Sequence, residues 1–414
     1  MDKRDKDREI LRELAKRYAE IASLPIHDEK RRLWRALNGL RPERPMVAID
    51  QVCWEEMDVD GRLALRCEDS ECQRYEAWLR RTLLQWELFP ADMVVEPTVR
   101  VEKAISNTGF GVAVDEETKA SASETVVLSH RYENQFRSIE DVCRKVGTPK
   151  VSHDEDETKR RMDFAEWLFG GVGLELRAEG ADPYLSIWDP IATWMSVEGA
   201  LFALADDPDM MHALAARVAD GYMSMLDQLE EQGLLCHSQP LIHCTGAYVE
   251  ELPAPGFDPN KPRTKDLWMF GLAQMFATVS PAMFDEYEIR YMTPIFRRFG
   301  LVYYGCCDPM DGKMEQARKI PRLRKVSMSP WANPERGAAG IGRDFVYSCK
   351  PNPALLAMDE FDGDLARGEL MRVKEACERN GCPLEIIMKD ISTVRGKPDR
   401  LKLWSEIAMS VACQ

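Results

Sequence analysis

The stretch SPAMFDEYEIRYMTPIFRRFGLVYYGCCDP (residues 280–309) places a helix directly before a buried strand. Ser280 is a typical helix N-cap and Pro281 suits the first helical position, so the helix is predicted to begin there and to end at Gly300. The apolar run LVYY (301–304) then predicts a strand that stops at Gly305. A helix that leads at once into a buried strand is typical of folds built on a parallel sheet.

The same alternation of strand and helix recurs along the chain. Further strands are predicted in MVAID (46–50), at about 93–96, and in RLRKVSM (322–328), DFVYSC (344–349) and LEIIMKD (384–390). About eight strand candidates without a GxGxxG motif favour a TIM (β/α)8 barrel over a dinucleotide-binding fold. Amphipathic helices predict an N-terminal helical extension over 1–44, and the barrel domain over 45–414 is expected to carry an inserted β-rich excursion at about 104–155.

Composition excludes several classes of protein. The net charge of -15, without a basic run that contains aromatic residues, argues against a nucleic-acid partner. No stretch reaches the roughly 18 apolar residues of a membrane helix. The N-terminal MDKRDKDREILRELAKR lacks the apolar core of a signal peptide, so we expect a cytoplasmic protein whose twelve cysteines are reduced.

Polar and reactive residues follow the predicted strands. In a barrel the carboxyl ends of the strands converge on one mouth, where the chemistry takes place. The residues expected there are Asp50, His243, Cys244, Cys306, Cys307, Trp331, Lys350, Asn352, Lys389 and Asp390.

One imidazole and two adjacent thiols suggest a metal centre. His243, Cys306 and Cys307 are ligand types that zinc takes, and a catalytic zinc uses three protein ligands and an open position. Neighbouring residues on a strand face opposite sides, so both thiols can share one metal only where the backbone turns. The alternative interpretation is that the thiols pack in the core and His243 is a hydrogen-bonding group.

The basic and aromatic residues at the strand ends also allow two interpretations. Lys350, held between a strand and the stiff PNP turn, is expected either to bind an anionic group or to lie in solvent. Lys389 and Asp390 either pair with each other or face the pocket. Trp331 either walls a flat ligand or is an ordinary core residue.

With these residues in view, the chain resembles the uroporphyrinogen decarboxylase superfamily, which includes the cobamide-dependent methyltransferases. The resemblance is carried by DMVVEP (92–97), by PIATWMSVEGALFALADDPDMMHAL (190–214), by SPAMFDEYEIRYMTPIFRRFG (280–300) with the strand after it, and by CKPNPALL (349–356). True decarboxylases open with an arginine-rich motif that grips the porphyrin carboxylates. The corresponding PMVAIDQVCWEEM (45–57) has no arginine, so porphyrinogen decarboxylation is not expected.

The resemblance implies a methyltransferase that works with a separate corrinoid protein. Zinc held by His243, Cys306 and Cys307 would assist methyl transfer between a small substrate and the corrinoid, and Asp308 or Asp390 would handle the proton. The zinc methyltransferases of the superfamily have a histidine before the thiol and a late cysteine, whereas this chain has Tyr304-Gly305 and Lys389-Asp390 there. The residues expected to shape the pocket and hold the substrate are Asp50, Gln51, Gln274, Tyr304, Trp331, Lys350, Asn352 and Lys389.

Two other functions remain open from the sequence. The first is a metal-free lyase or decarboxylase that acts on a small carboxylic acid through Lys350, Lys389 and Asp390. The second is a non-catalytic barrel that binds a ligand. The metal content of the protein separates the zinc enzyme from both.

Overall fold

A computed structural model describes residues 3–120 and 128–414. The helices are α1 (Lys3–Ala22), α2 (Ile26–Asn38), α3 (Trp54–Met57), α4 (Ser70–Leu88), α5 (Ile139–Lys145), α6 (Glu155–Phe169), α7 (Trp188–Met195), α8 (Val197–Asp206), α9 (Pro208–Glu231), α10 (Pro281–Met283), α11 (Arg290–Phe296), α12 (Met314–Ala317), α13 (Pro334–Ile341), α14 (Ala354–Ala357), α15 (Gly363–Asn380) and α16 (Asp399–Ala412). A π-helical turn, Phe284–Ile289, joins α10 to α11, and short 3-10 turns lie at Thr264–Asp266, Gln274–Thr278 and Met310–Gly312. Within the described residues, no helix combines the length and the apolar composition needed to cross a membrane.

The strands are β1 (Met46–Ile49), β2 (Thr98–Glu102), β3 (Ala104–Asn107), β4 (Glu116–Ala120), β5 (Leu128–Tyr132), β6 (Val151–Asp154), β7 (Glu175–Glu179), β8 (Tyr184–Leu185), β9 (Leu241–Ile242), β10 (Thr245–Gly246), β11 (Trp268–Gly271), β12 (Leu301–Tyr304), β13 (Leu323–Met328), β14 (Val346–Cys349) and β15 (Leu384–Met388).

Seven of these strands form one parallel sheet in the order β1-β15-β14-β13-β12-β11-β8. Every residue of β11, β12, β14 and β15 is buried, because side chains and helices cover both faces of the sheet. The predicted α/β class with a large parallel sheet is therefore confirmed. In the described chain β1 and β8 are the two ends of the sheet, so a closed eight-stranded barrel stays a prediction.

The predicted strand at about 93–96 is wrong. This segment is irregular, and it touches the sheet through the hydrogen bond from Asp92 N to Val47 O (3.0 Å). Strand β2 begins only at Thr98, after Pro97, and it pairs with β7 outside the main sheet. A proline lacks the N–H that a continuous ladder needs, so the apolar run MVV does not extend into a central strand.

The N-terminal helices and the insertion pack against the sheet domain in different ways. Helix α1 shares a second hydrophobic core with α4, α6 and β2, whereas Trp34 of α2 packs beside β1. The predicted β-rich excursion contains two antiparallel pairs, β3 with β6 and β4 with β5, and also the helix α5. Residues 121–127 of that excursion lie outside the described part of the chain, and the domain division at residue 44 stays a prediction.

Candidate active site

The reactive side chains meet at the carboxyl edge of the parallel sheet. Strand β12 leads into the two cysteines, β14 into Lys350, and β15 into Lys389 and Asp390. The side chains at these ends converge because all the strands run in the same direction. The structure therefore brings Cys306, Cys307, Lys350, Lys389 and Asp390 to one edge of the sheet.

A glycine turn brings both thiols to the same side. Gly305 follows β12 with a φ of 90°, a left-handed conformation that side-chain-bearing residues rarely adopt. The turn breaks the alternation of the strand, and the sulfurs of Cys306 and Cys307 lie 3.6 Å apart. Cys306 is buried and Cys307 is exposed, so the pair reaches from the interior to solvent.

His243 comes from a hairpin rather than from the sheet. It lies with Cys244 between β9 and β10, and both residues have positive φ angles, 37° and 71°. Two-residue hairpins need such angles, and asparagine-glycine is the usual pair. A histidine and a cysteine in these positions place backbone strain at the site. The imidazole stacks on Phe270 with 3.8 Å between ring centroids, and its Nε2 lies 3.3 Å from Cys306 Sγ.

The ammonium of Lys389 completes the surroundings of the buried thiol. Its Nζ lies 3.2 Å from Cys306 Sγ, 3.3 Å from His243 Nε2 and 3.1 Å from Asp390 Oδ2. Asp390 is half-exposed at the rim, and its Oδ2 lies 3.8 Å from Cys307 Sγ. A positive charge therefore lies directly against the sulfur of Cys306.

These contacts favour the thiolate of Cys306. A hydrogen bond from Cys307 is the largest cause that lowers the pKa of Cys306, and the contact with His243 and the charge of Lys389 lower it further against the effect of burial. Burial alone would lower the pKa of Lys389, but the neighbouring thiolate and Asp390 outweigh burial and raise it. Burial is the main reason that the pKa of His243 is lowered, which keeps the ring neutral.

Lys350, Ser348 and Tyr303 form a second polar cluster beside the one around Cys306. The Nζ of Lys350 donates to Ser348 Oγ at 3.0 Å and to the hydroxyl of Tyr303. Burial lowers the pKa of Lys350 to about 8, although the charge of Glu385 acts in the opposite direction. This lysine can therefore bind an anion or release a proton near neutral pH.

Asp308 is a buried carboxyl group next to the thiols. Burial raises its pKa to about 7, and the charge of Cys306 raises it further while Lys313 lowers it. Its Oδ1 has no hydrogen-bond partner among the described residues. A carboxyl group with this pKa can donate a proton at neutral pH.

Several predicted pocket residues lie elsewhere. Tyr304 points away from the thiols, since its hydroxyl donates to Glu288 Oε1 at 2.9 Å on the helix side of β12. The side chain of Trp331 is 75% exposed and does not wall a buried pocket. Asn352 Oδ1 accepts from the backbone N–H of Ala354 and so stabilises the turn before α14.

The remaining predicted residues lie at or near the surface. Gln274 and Gln51 are exposed, the first in a 3-10 turn and the second after β1 with a φ of 49°. Asp50 is half-buried and close to Cys244, whose pKa is raised first by burial and then by the Asp50 carboxylate. Asp50 thus belongs to the edge of the site.

Three aromatic and hydroxyl residues of the site were not predicted. Phe270 holds the imidazole, and Tyr303 and Ser348 hold Lys350. Tyr303 and Tyr304 are adjacent, so they face opposite sides of β12. From LVYY alone, Tyr303 could have been assigned to the site only if the direction of another side chain on the same strand had been known.

The three predicted zinc ligands do not fit a metal ion as they are arranged. Tetrahedral zinc with bonds of about 2.3 Å to sulfur and about 2.0 Å to nitrogen requires ligand atoms roughly 3.5–3.8 Å apart, and the two distances from Cys306 Sγ come close to this. However, no group of three or more His, Cys, Asp or Glu side chains in the described chain is placed to hold a metal. The ammonium of Lys389 also contacts two of the three predicted ligands, where it would repel Zn²⁺.

No protein-family model matches the chain, and no curated protein matches it significantly. Among solved structures, the chain is similar to a methyltransferase from Methanosarcina mazei, with 13% identity, 91% of this chain and 97% of that chain covered, and a TM-score of 0.49. This degree of similarity does not determine a family, a reaction or a substrate.

Proposed function

We propose that this protein is a methyltransferase in which Cys306 is the nucleophile and a corrinoid on a partner protein is the second methyl carrier. The proposal is carried by one observation: Cys306 Sγ lies 3.2 Å from Lys389 Nζ and 3.3 Å from His243 Nε2. A thiolate held in this way is a strong nucleophile toward carbon. The sequence resemblance to the decarboxylase superfamily supports methyl as the group that moves.

The chain's own residues account for each requirement of such a transfer. The sulfur of Cys306 forms the new bond to the methyl carbon while the bond between that carbon and the substrate heteroatom breaks. Asp308 gives its proton to the leaving heteroatom, and Lys350 holds an anionic end of the substrate. The corrinoid, when its carrier protein is docked, would supply reduced cobalt as the methyl acceptor, and the bond between the methyl carbon and Cys306 Sγ would break to return Cys306 to the thiolate. The same proposal includes closure of the sheet into a barrel, with this edge of the sheet forming its mouth.

The proposal assigns the positive charge beside Cys306 to Lys389 rather than to zinc. Zinc bound by His243, Cys306 and Cys307 remains a separate proposal, because it requires the Lys389 ammonium to move away. Metal analysis of the purified protein and of Lys389→Met distinguishes them. We expect less zinc in the wild type than in the variant, whereas about one zinc per wild-type chain would support the metal enzyme.

The direct test uses free cob(I)alamin with methyl ethers, methylamines and methyl thioethers. We expect formation of methylcobalamin, followed by its absorbance, from at least one class of donor. Cys306→Ser should abolish it, and Cys143→Ser, at an exposed cysteine of α5, should leave it unchanged. Equal activity of wild type and Cys306→Ser would overturn the role of the thiolate.

A lyase or decarboxylase that acts on a small carboxylic acid is the second candidate. It is favoured by the two buried ammonium groups, Lys350 and Lys389, at the same edge of the sheet. Release of carbon dioxide from a panel of small acids, lost in Lys350→Met and retained in Cys306→Ser, would support it over methyl transfer. A barrel that only binds a ligand would neither form methylcobalamin nor release carbon dioxide.

A further inference from the structure

Lys350 differs from the other buried lysines of the sheet and its carboxyl edge, because no carboxylate balances its charge. The ammonium of Lys325 is paired with Glu385 at 2.7 Å, and that of Lys389 is paired with Asp390 at 3.1 Å. Lys350 is also buried, yet it forms no ion pair within the described residues, and its Nζ is hydrogen-bonded to hydroxyl groups. Since buried charges in proteins are normally paired, this position favours the uncharged amine.

The electrostatic surroundings of Lys350 support the same conclusion. Burial lowers the pKa of Lys350 to about 8, and the positive charge of Lys389 acts in the same direction. The charges of Glu385, Cys244 and Cys306 act in the opposite direction and do not cancel the effect of burial. At pH 7 about a tenth of Lys350 is then free amine, compared with roughly one in 2,500 for a lysine with an ordinary pKa of about 10.4.

Two hydroxyl groups can serve this side chain in both of its protonation states. Ser348 Oγ lies 3.0 Å from Lys350 Nζ, the hydroxyl of Tyr303 is also hydrogen-bonded to Nζ, and the two hydroxyl oxygens lie 2.7 Å apart. A hydroxyl group both donates and accepts, whereas a backbone carbonyl, which is the partner of the buried ammonium of Lys313, only accepts. Tyr303 and Ser348 can therefore hold an ammonium, and they can also donate to the lone pair of a free amine.

We propose that Lys350 forms a Schiff base with small aldehydes or ketones. A desolvated lysine beside another cation is the arrangement that makes an amine nucleophilic. The lone pair of the nitrogen forms the bond to the carbonyl carbon, the bond between carbon and oxygen breaks, and the oxygen leaves as water. Counted from the ammonium, two of its three protons go to this water and one stays on the iminium nitrogen. The hydroxyl of Tyr303, which contacts Nζ, passes a proton from nitrogen to oxygen.

Acetylacetone, a small uncharged diketone, is the probe that tests the site. It condenses with a free amine, loses water and gives an enaminone that absorbs in the near ultraviolet, so no reductant is needed to observe it. At pH 7 we expect one enaminone per chain, and peptide mass spectrometry should place it on Lys350. Its rate of formation there should exceed that of exposed lysines about a hundredfold, because the fractions of free amine differ by about that factor. Lys350→Met and Lys350→Arg should both lose the adduct, the second while keeping a positive charge.

Lys402→Met is the matched control, since Lys402 is exposed on α16, and this variant should keep the adduct. Thermal melts establish that each variant is folded, and the position of the adduct in the wild type decides the question even if a variant of Lys350 does not fold. The adduct forms without a methyl donor or a corrinoid, so the result does not depend on the proposed methyl transfer. Absence of an adduct in the wild type, an adduct on another lysine, or equal rates at Lys350 and at exposed lysines would overturn the proposal.

Discussion

Cys306 illustrates how single residues acquire chemistry from their neighbours. In the sequence it is one of twelve cysteines, and most cysteines are small buried hydrophobes. In the structure its sulfur contacts an ammonium, an imidazole and a second thiol, which together lower its pKa. By contrast, burial raises the pKa of Cys236, Cys349 and Cys67. The surroundings, and not the residue type, therefore distinguish Cys306 from the other cysteines.

We predict that the alkylation of Cys306 by iodoacetamide changes little between pH 8 and pH 6. Only the thiolate reacts, and an ordinary thiol loses about tenfold in rate for each pH unit below its pKa. Lys389→Met removes the charge beside the sulfur, so its pKa should rise and the rate at pH 6 should fall steeply. Peptide mass spectrometry measures each cysteine separately.

Cys143 is the internal control for this measurement, because it is exposed on α5. Its pH profile should be the same in wild type and Lys389→Met. A rate for Cys306 that falls about tenfold for each pH unit would show that the thiol is not activated.

At the scale of elements, the turn after β12 decides whether two thiols can act together. A regular strand would send Cys306 and Cys307 to opposite faces, and the φ of 90° at Gly305 prevents this. The hairpin of β9 and β10 supplies the imidazole with similarly unusual backbone angles. The non-glycine residues of the hairpin place backbone strain where reactive side chains converge, whereas glycine adopts its positive φ without strain.

We predict that Gly305→Ala destabilises the protein by about 1–3 kcal/mol, because an alanine at this φ is strained and its Cβ would lie 3.2 Å from Met310 Cγ. The thiols should also shift, so that Cys306 loses its fast alkylation at pH 6. Urea denaturation measures the free energy of unfolding.

Gly368→Ala is the matched control, since Gly368 lies within α15 with no atom near its added Cβ. This change should leave the stability unchanged or raise it by about 0.5–1 kcal/mol, as alanine favours helix. If both variants unfold at the same urea concentration, Gly305 has no special role in the turn.

At the scale of the whole molecule, two buried charged residues connect the sheet with the hairpin of β9 and β10 and with the N-terminal helix α2. Lys325 of β13 and Glu385 of β15 are fully buried and 2.7 Å apart. Glu385 also accepts from Thr245 of the hairpin at 2.8 Å, and the Lys325 ammonium lies 5.4 Å from the ring centroid of Trp34 in α2. The position of His243 therefore depends on contacts between segments far apart in the chain.

We predict that Glu385→Gln costs about 3–5 kcal/mol, because it leaves the buried ammonium of Lys325 without its counter-charge. The double variant Lys325→Met, Glu385→Leu should cost clearly less, since it removes both charges. Urea denaturation of the three proteins checks this order, and a double variant that is the least stable would contradict it.

The stability of the whole molecule should also depend on pH. Burial raises the pKa of Glu288 to about 8 and that of Asp308 to about 7, whereas unfolded carboxyl groups titrate near about 4. Between about pH 4 and these pKa values, the folded state therefore binds more protons than the unfolded state. The stability that this proton binding contributes is complete below about pH 4 and is lost as the pH rises through the pKa values of the folded state. We predict a fall of about 1.4 kcal/mol per pH unit for each group across this window.

Glu288→Gln should reduce this slope, because the amide does not titrate. Thermal unfolding between pH 5 and pH 8 measures the effect in both proteins. A wild-type stability that rises with pH over this range would contradict the assignment.

The sequence by itself determined the alternation of helix and strand, and with it the parallel sheet whose carboxyl edge collects Cys306, Cys307, Lys350 and Lys389. These properties follow from local patterns: apolar runs, helix caps and glycine stops. Only the tertiary structure decided that Tyr303 rather than Tyr304 faces the site, that 93–96 is not a strand, and that the ammonium of Lys389 contacts both His243 and Cys306. Those outcomes depend on side-chain direction and on contacts between distant segments, such as β15 with the hairpin, and no local pattern records them.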